Sequence, residues 1–177
     1  MARALIVGCG CRGRELGRVL LDEGWAVRGT SRREPELAVI EAAGIEPALA
    51  DLDRVGTVLE LVADVAVVYL LLGSIEGDPE AVAALHGPRL ERLMEKLVDT
   101  PVRGVVYEAV GSVDPALLAG GAEIVVAASR TWRIPVTTID TAPDWDAGSA
   151  TDVAGVWAQQ TAVLGLDLLT KPSLPNG

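Results

Sequence analysis

The run Val65-Ala66-Val67-Val68-Tyr69-Leu70-Leu71-Leu72 contains no charged or strongly polar residue. A strand's side chains alternate between two faces, so a strand that is apolar throughout must be covered on both. That demands a parallel sheet with helices above and below, because parallel strands need crossovers and helices supply them. Five other β-rich stretches fit the same scheme: Ala4–Val7, Ala26–Thr30, Glu46–Leu49, Arg103–Tyr107 and Pro135–Ile139. Helical patterns fill the intervals. Residues 12–23 set Leu16, Val19 and Leu20 on one face and stop at Gly24, and 35–43 stop at Gly44. Asp53 is read as the cap of a helix running to Ala63. Residues 79–98 carry Leu90, Leu93 and Leu97 at helical spacing, with a break expected at His86-Gly87-Pro88. Helices over 122–131 and 151–166 follow, the second opened by the capping pattern Ser149-Ala150-Thr151-Asp152. This alternation predicts an α/β, doubly wound parallel sheet in one three-layer domain over residues 1–169, with a loose tail at 170–177.

Composition narrows the function classes. A chain of 177 residues with 25 Asp+Glu against 15 Lys+Arg has a formal net charge of −10, the wrong sign for nucleic acid or an anionic membrane surface. Only two lysines (Lys96 and Lys171) and one histidine (His86) are present, which leaves little material for lysine or histidine chemistry. His86, beside a Gly-Pro break, reads as a surface or turn residue. Cys9 and Cys11 stand too close for an ordinary disulfide, and with no third cysteine a metal site is not expected. No apolar run reaches the roughly 18 residues of a membrane span. The stretch Ala4–Val7 is too short for a signal peptide, so a soluble, cytoplasmic protein is expected.

The chemistry is concentrated at the strand ends. Gly8-Cys9-Gly10-Cys11-Arg12-Gly13 is a GxGxxG pattern placed between a short apolar strand and an amphipathic helix, the context in which it binds a pyrophosphate. Gly8 suits the tight turn, Gly10 lets a phosphate approach the backbone, and Gly13 lets helix and strand pack closely. The phosphates then meet the positive end of the helix. The end of the second strand distinguishes NAD from NADP. Where an acid would accept from a ribose 2′-hydroxyl, this chain has Ser31-Arg32-Arg33, and Ser and Arg donate to a 2′-phosphate instead. Arg12 is expected to close over the same phosphate, and Arg33 has a solvated charge as its plain alternative. NADP is therefore favoured, with NAD the alternative. Asp51 and Leu52, after the third strand, are placed beside the adenine. Leu72 and Gly73, after the fourth, are placed along the nicotinamide half.

The runs Ile6–Gly13, Gly29-Thr30-Ser31-Arg32 and Ala50-Asp51-Leu52 resemble the atypical, epimerase-like branch of the short-chain dehydrogenase/reductase superfamily, in its GxGxxG subgroup. The resemblance covers residues 3 to about 140. It implies a Rossmann domain with strand order 3-2-1-4-5-6 that binds NAD(P) through Gly8, Gly10, Gly13 and Arg32. Active members of the superfamily use a Tyr-x-x-x-Lys pair, and here Gly73 follows Tyr69 by four residues and Gly111 follows Tyr107 by four. After Ile139 little more than one helix and a tail are expected, less than the substrate domain that usually follows in the superfamily.

Candidate catalytic residues are therefore few: Tyr107, Glu108 and Ser112 at the end of the fifth strand. Without a base beside it, Tyr107 is expected to keep an ordinary pKa near 10. A triad of Ser74 or Ser112 with His86 lacks nucleophile-elbow spacing. The expected function is NAD(P)(H) binding without catalysis, as a dinucleotide binder or redox sensor. The alternative is an atypical oxidoreductase or epimerase acting on a small substrate. The helix over 151–166 has apolar groups on more than one side, so those not covering the sheet, Trp157 among them, are expected to be exposed and to form a homodimer interface. The alternative is that the helix packs on its own sheet and the tail covers the rest.

Overall fold

The computed structural model describes residues 1–144, 146 and 148–170. Six parallel strands, β1 (Arg3–Val7), β2 (Ala26–Ser31), β3 (Glu46–Leu49), β4 (Val67–Leu70), β5 (Gly104–Glu108) and β6 (Val136–Ile139), form one sheet in the order β3-β2-β1-β4-β5-β6. The chain goes outward from β1 to β3, returns to β4 on the other side of β1, and continues to β6. The order thus reverses between β1 and β4, and the loops there open a crevice at the carboxyl end of the sheet.

Side-chain alternation separates two cores. Leu5, Val7, Val68, Leu70, Val105 and Tyr107 face α3 (Val55–Leu59), α4 (Pro79–Leu85), α5 (Pro88–Leu97) and α6 (Pro115–Trp132). Ala4, Ile6, Val67, Tyr69 and Val106 face α1 (Cys11–Asp22), α2 (Leu37–Ala42) and α7 (Ala150–Thr170). On α5, Leu90, Leu93 and Leu97 are fully buried, at about 1.5–3 kcal/mol each. The break at His86-Gly87-Pro88 is present, and α4 and α5 are separate helices. The tail at 171–177 lies outside the described residues.

Several boundaries differ from expectation for local reasons. α6 starts at Pro115 rather than 122, because Asp114 accepts from the backbone N–H of Ala116 at 2.8 Å and proline suits the first turn. The two glycines that precede residue 122 lie inside α6, and one of them is there for packing. Gly121 passes the ring of Tyr107 so closely that an added Cβ would lie 2.0 Å from the phenol oxygen. Gly165 on α7 meets Tyr69 in the same way on the other face. Asp51, not Asp53, caps the turn after β3, its Oδ1 accepting from Asp53 N–H at 3.0 Å, while Asp53 pairs with Arg89.

Trp157 is buried, contrary to expectation. α7 lies against α1, β5 and β6, and the indole is 4 % exposed within its own chain. The exposed apolar residues of α7 are Val156 and Val163. Among the described residues, no helix is long and apolar enough to cross a membrane.

Candidate functional site

A cleft of about 380 Å³ opens where the strand order reverses. The glycine loop forms its floor. Gly8 has φ +82°, and a Cβ there would stand 2.6 Å from the Leu71 carbonyl oxygen, so only glycine makes this turn. Gly13 holds α1 against β1, its virtual Cβ 3.2 Å from both Gly8 O and Ile6. α1 has no side-chain cap and no acid in its first turn, and its first helical bond runs from Arg14 N–H to Gly10 O. The N–H groups of Cys11, Arg12 and Gly13 are therefore left without helical acceptors, and the dipole favours an anion before them.

The cleft is lined by Gly8, Cys9, Gly10, Cys11, Arg12, Gly13, Ser31, Arg32, Asp51, Leu52 and Leu72. These are the expected nucleotide-contacting residues apart from Gly73. Gly73 turns into the protein, where its N–H donates to Glu108 at 2.7 Å and its carbonyl accepts from Val113 N–H. Thr30, Ile75 and Leu85 also line the cleft. Thr30 was not anticipated, though it fixes the loop: its carbonyl accepts from Cys9 N–H at 2.9 Å. It is 1 % exposed, and its place directly before Ser31 in the run Gly29-Thr30-Ser31-Arg32 was the available signal.

At the end of β2, Arg32 donates across the cleft mouth to the Glu76 carbonyl at 3.1 Å. Ser31 Oγ accepts from Arg33 N–H, and the Arg33 side chain pairs with Glu36 one helical turn on. Arg12 does not approach this end. Its guanidinium runs to the far side of the loop, with Nη1 2.5 Å from Glu108 Oε1, Nη2 donating to Ser74 Oγ at 3.2 Å, and Cζ 5.3 Å from the centroid of Trp157. The contact with Glu108 is one of charge, since Oε1 accepts no well-aligned hydrogen bond. Burial raises the Glu108 pKa, opposed in part by the Arg12 charge and the Gly73 N–H. Buried Cys9, packed on Gly29, has its thiol pushed up to about 12 by burial, whereas Cys11 is exposed.

Tyr107, Glu108 and Ser112 do not converge. Successive residues on β5 point to opposite faces, so the Tyr107 phenol lies behind the sheet while Glu108 faces α1 and α7. Ser112 is exposed, and its N–H donates to Ser74 Oγ. Burial raises the Tyr107 pKa above its ordinary value, with Glu108 adding to the rise. His86 is buried too, not at the surface. Its Nε2 lies 3.1 Å from the Leu72 carbonyl and its Nδ1 2.6 Å from the Tyr107 hydroxyl. A carbonyl only accepts, so Nε2 carries the proton and Tyr107 donates to Nδ1. No serine is among its partners, and among the described residues no cluster suits a metal.

Burial lowers the His86 pKa below its free value. The unfolded chain then binds the extra proton first, so stability is complete above about pH 6.5 and falls as pH drops toward the folded value. Urea unfolding at pH 7.5 and 5.5 should show this loss, and His86→Gln should remove most of the difference. The Glu108 shift acts with the opposite sign, above the ordinary carboxylate range. An unchanged pH slope in the variant would assign the loss to other groups.

Comparison of the sequence with family models and with curated proteins gives no match. Solved structures do match. UDP-glucuronic acid 4-epimerase from Bacillus cereus, in complex with NAD, is 15% identical with a TM-score of 0.61, over 77% of this chain and 55% of that one. Triphenylmethane reductase from Citrobacter sp., complexed with NADP(H), is 19% identical with a TM-score of 0.58, over 76% and 48%. Pen from Bacillus thuringiensis is 13% identical with a TM-score of 0.71, over 97% and 66%. The chain spans about half the length of the epimerase and the reductase. At these identities the likeness is one of fold, and the fold is a Rossmann-like α/β sheet in the order β3-β2-β1-β4-β5-β6.

Proposed function

We propose that the chain binds a nicotinamide dinucleotide, NADP(H) in preference to NAD(H), and does so without catalysing its turnover. The observation that carries this reading is the cleft itself, in which an uncapped helix end and a glycine turn face Ser31 and Arg32 with no carboxylate at the end of β2. Of the three arginines that line the cleft, Arg12 and Arg33 are paired with Glu108 and Glu36, and Arg32, held by a backbone carbonyl, is the charge best placed to meet a phosphate. NAD and NADP(H) are present in the complexes of the structural neighbours. The absence of convergence among Tyr107, Glu108 and Ser112 supports the non-catalytic reading.

NADPH is expected to bind at least about tenfold tighter than NADH, a difference of about 1.4 kcal/mol, within the range of charge-assisted contacts to one phosphate. Arg32→Ala should erase most of it, since the guanidinium is held at the cleft mouth by a single carbonyl and is free to turn inward. Calorimetric titration of both proteins with both cofactors checks this. Equal affinities in the wild type, or an unchanged preference in the variant, overturn the assignment.

A further inference from the structure

The cleft ends early. Its lining passes from the glycine loop to the ends of β2 and β3 and beyond β4 to Ile75 and Leu85, and among the described residues none after Leu85 contributes. A full dinucleotide would continue past the order reversal toward the carboxyl ends of β4 and β5. That space is filled by the protein's own side chains. Arg12 leaves the glycine loop and enters it, held by Glu108 at 2.5 Å, by Ser74 at 3.2 Å and by the face of Trp157. Glu108 is fully buried, and its second oxygen accepts from Gly73 N–H.

The backbone behind this plug is closed as well. The loop after β5 is stitched to the loop after β4 by Ser112 N–H to Ser74 Oγ and by Val113 N–H to Gly73 O at 3.0 Å. The two strands of backbone are so close that a Cβ on Gly111 would lie 1.9 Å from Gly73 O. Withdrawing Arg12 would strip a buried carboxylate of its counter-charge, which makes the plug costly to remove. A pyrophosphate gives no strong reason to withdraw it, because the free N–H groups at the start of α1 already receive the anion.

On the reading that the cleft binds a dinucleotide, we infer that this chain grips only the adenosine, its 2′-phosphate and the pyrophosphate, and leaves the nicotinamide outside. Its ligand class is then the 2′-phosphorylated adenosine diphosphate nucleotide, whatever the distal group. Oxidised and reduced cofactor bind alike, so the protein reads the amount of such nucleotides and not their redox state.

The test titrates the full chain by calorimetry with NADP⁺, NADPH and 2′-phospho-ADP-ribose. The three dissociation constants are expected to agree within about fivefold. Dihydronicotinamide fluorescence of NADPH should keep its free-solution intensity and maximum on binding, because the ring stays in water. Either dinucleotide binding more than about fivefold tighter than 2′-phospho-ADP-ribose, or an enhanced and blue-shifted emission, overturns the inference and leaves the dinucleotide reading standing. If none of the three binds, the dinucleotide reading itself falls.

Discussion

A Gly10→Val protein is expected to fold as the wild type does and to bind NADPH at least about a hundredfold more weakly, a loss of about 2.7 kcal/mol or more. Both halves follow from one position. Gly10 has φ −78°, an angle any residue adopts, and a Cβ built there meets no protein atom within 4 Å. The side chain therefore costs the fold little and projects from the loop that a pyrophosphate must approach. Valine would also screen the N–H groups of Cys11 and Arg12, the donors that favour an anion at this helix end. Circular dichroism melting and calorimetric titration separate the two effects. Normal NADPH binding by a well-folded variant would place the phosphate site elsewhere. Gly8 behaves oppositely, since its positive φ and the Leu71 carbonyl at 2.6 Å leave no room for a side chain even without ligand.

The second large effect concerns two adjacent glycines in the middle of α6. Gly120→Ala is expected to stabilise the protein by about 0.5–1 kcal/mol, the usual gain for replacing glycine in a helix where space is open. Gly121→Ala is expected to destabilise it by about 2–3 kcal/mol or more. Its Cβ would lie 2.0 Å from the Tyr107 oxygen and 2.6 Å from Cζ, and the phenol has no easy retreat because it is held by His86 at 2.6 Å. The same one-carbon change thus has opposite signs at neighbouring positions. Urea denaturation of the two variants measures both, and equal effects would mean that α6 sits further from β5 than described.

Much of the architecture was legible in the sequence because its signals are local. Val65–Leu72 announces a doubly covered strand within eight residues, and the glycine loop announces its own turn. The helix break at His86-Gly87-Pro88 is equally self-contained, because proline cannot donate the missing bond. The start of α6 was missed for a related reason. The helix expected over 122–131 excludes Gly120 and Gly121, since glycine disfavours a helix interior, and only the ring of Tyr107 on another element explains one of them. His86 was misplaced because its partners, Leu72 and Tyr107, come from two different strand ends. The course of Arg12 was likewise hidden. Its position in the loop suggested a phosphate, but Glu108 and Trp157 arrive from β5 and α7, and no spacing rule connects them.

The Arg12–Glu108 pair also constrains how this sequence can diverge. Losing Arg12 first leaves a carboxyl that is fully buried, so it either keeps an uncompensated charge or is forced to take up a proton. Such a change costs about 3–5 kcal/mol, a large share of the stability of an ordinary domain. Losing Glu108 first is milder, because the Arg12 side chain is 21% exposed and its charge can turn to water. Descent from an open cleft to a plugged one, or back again, therefore has a preferred order of steps. Glu108→Gln comes before any change at Arg12 when the plug is dismantled, and the arginine arrives before the glutamate when it is built.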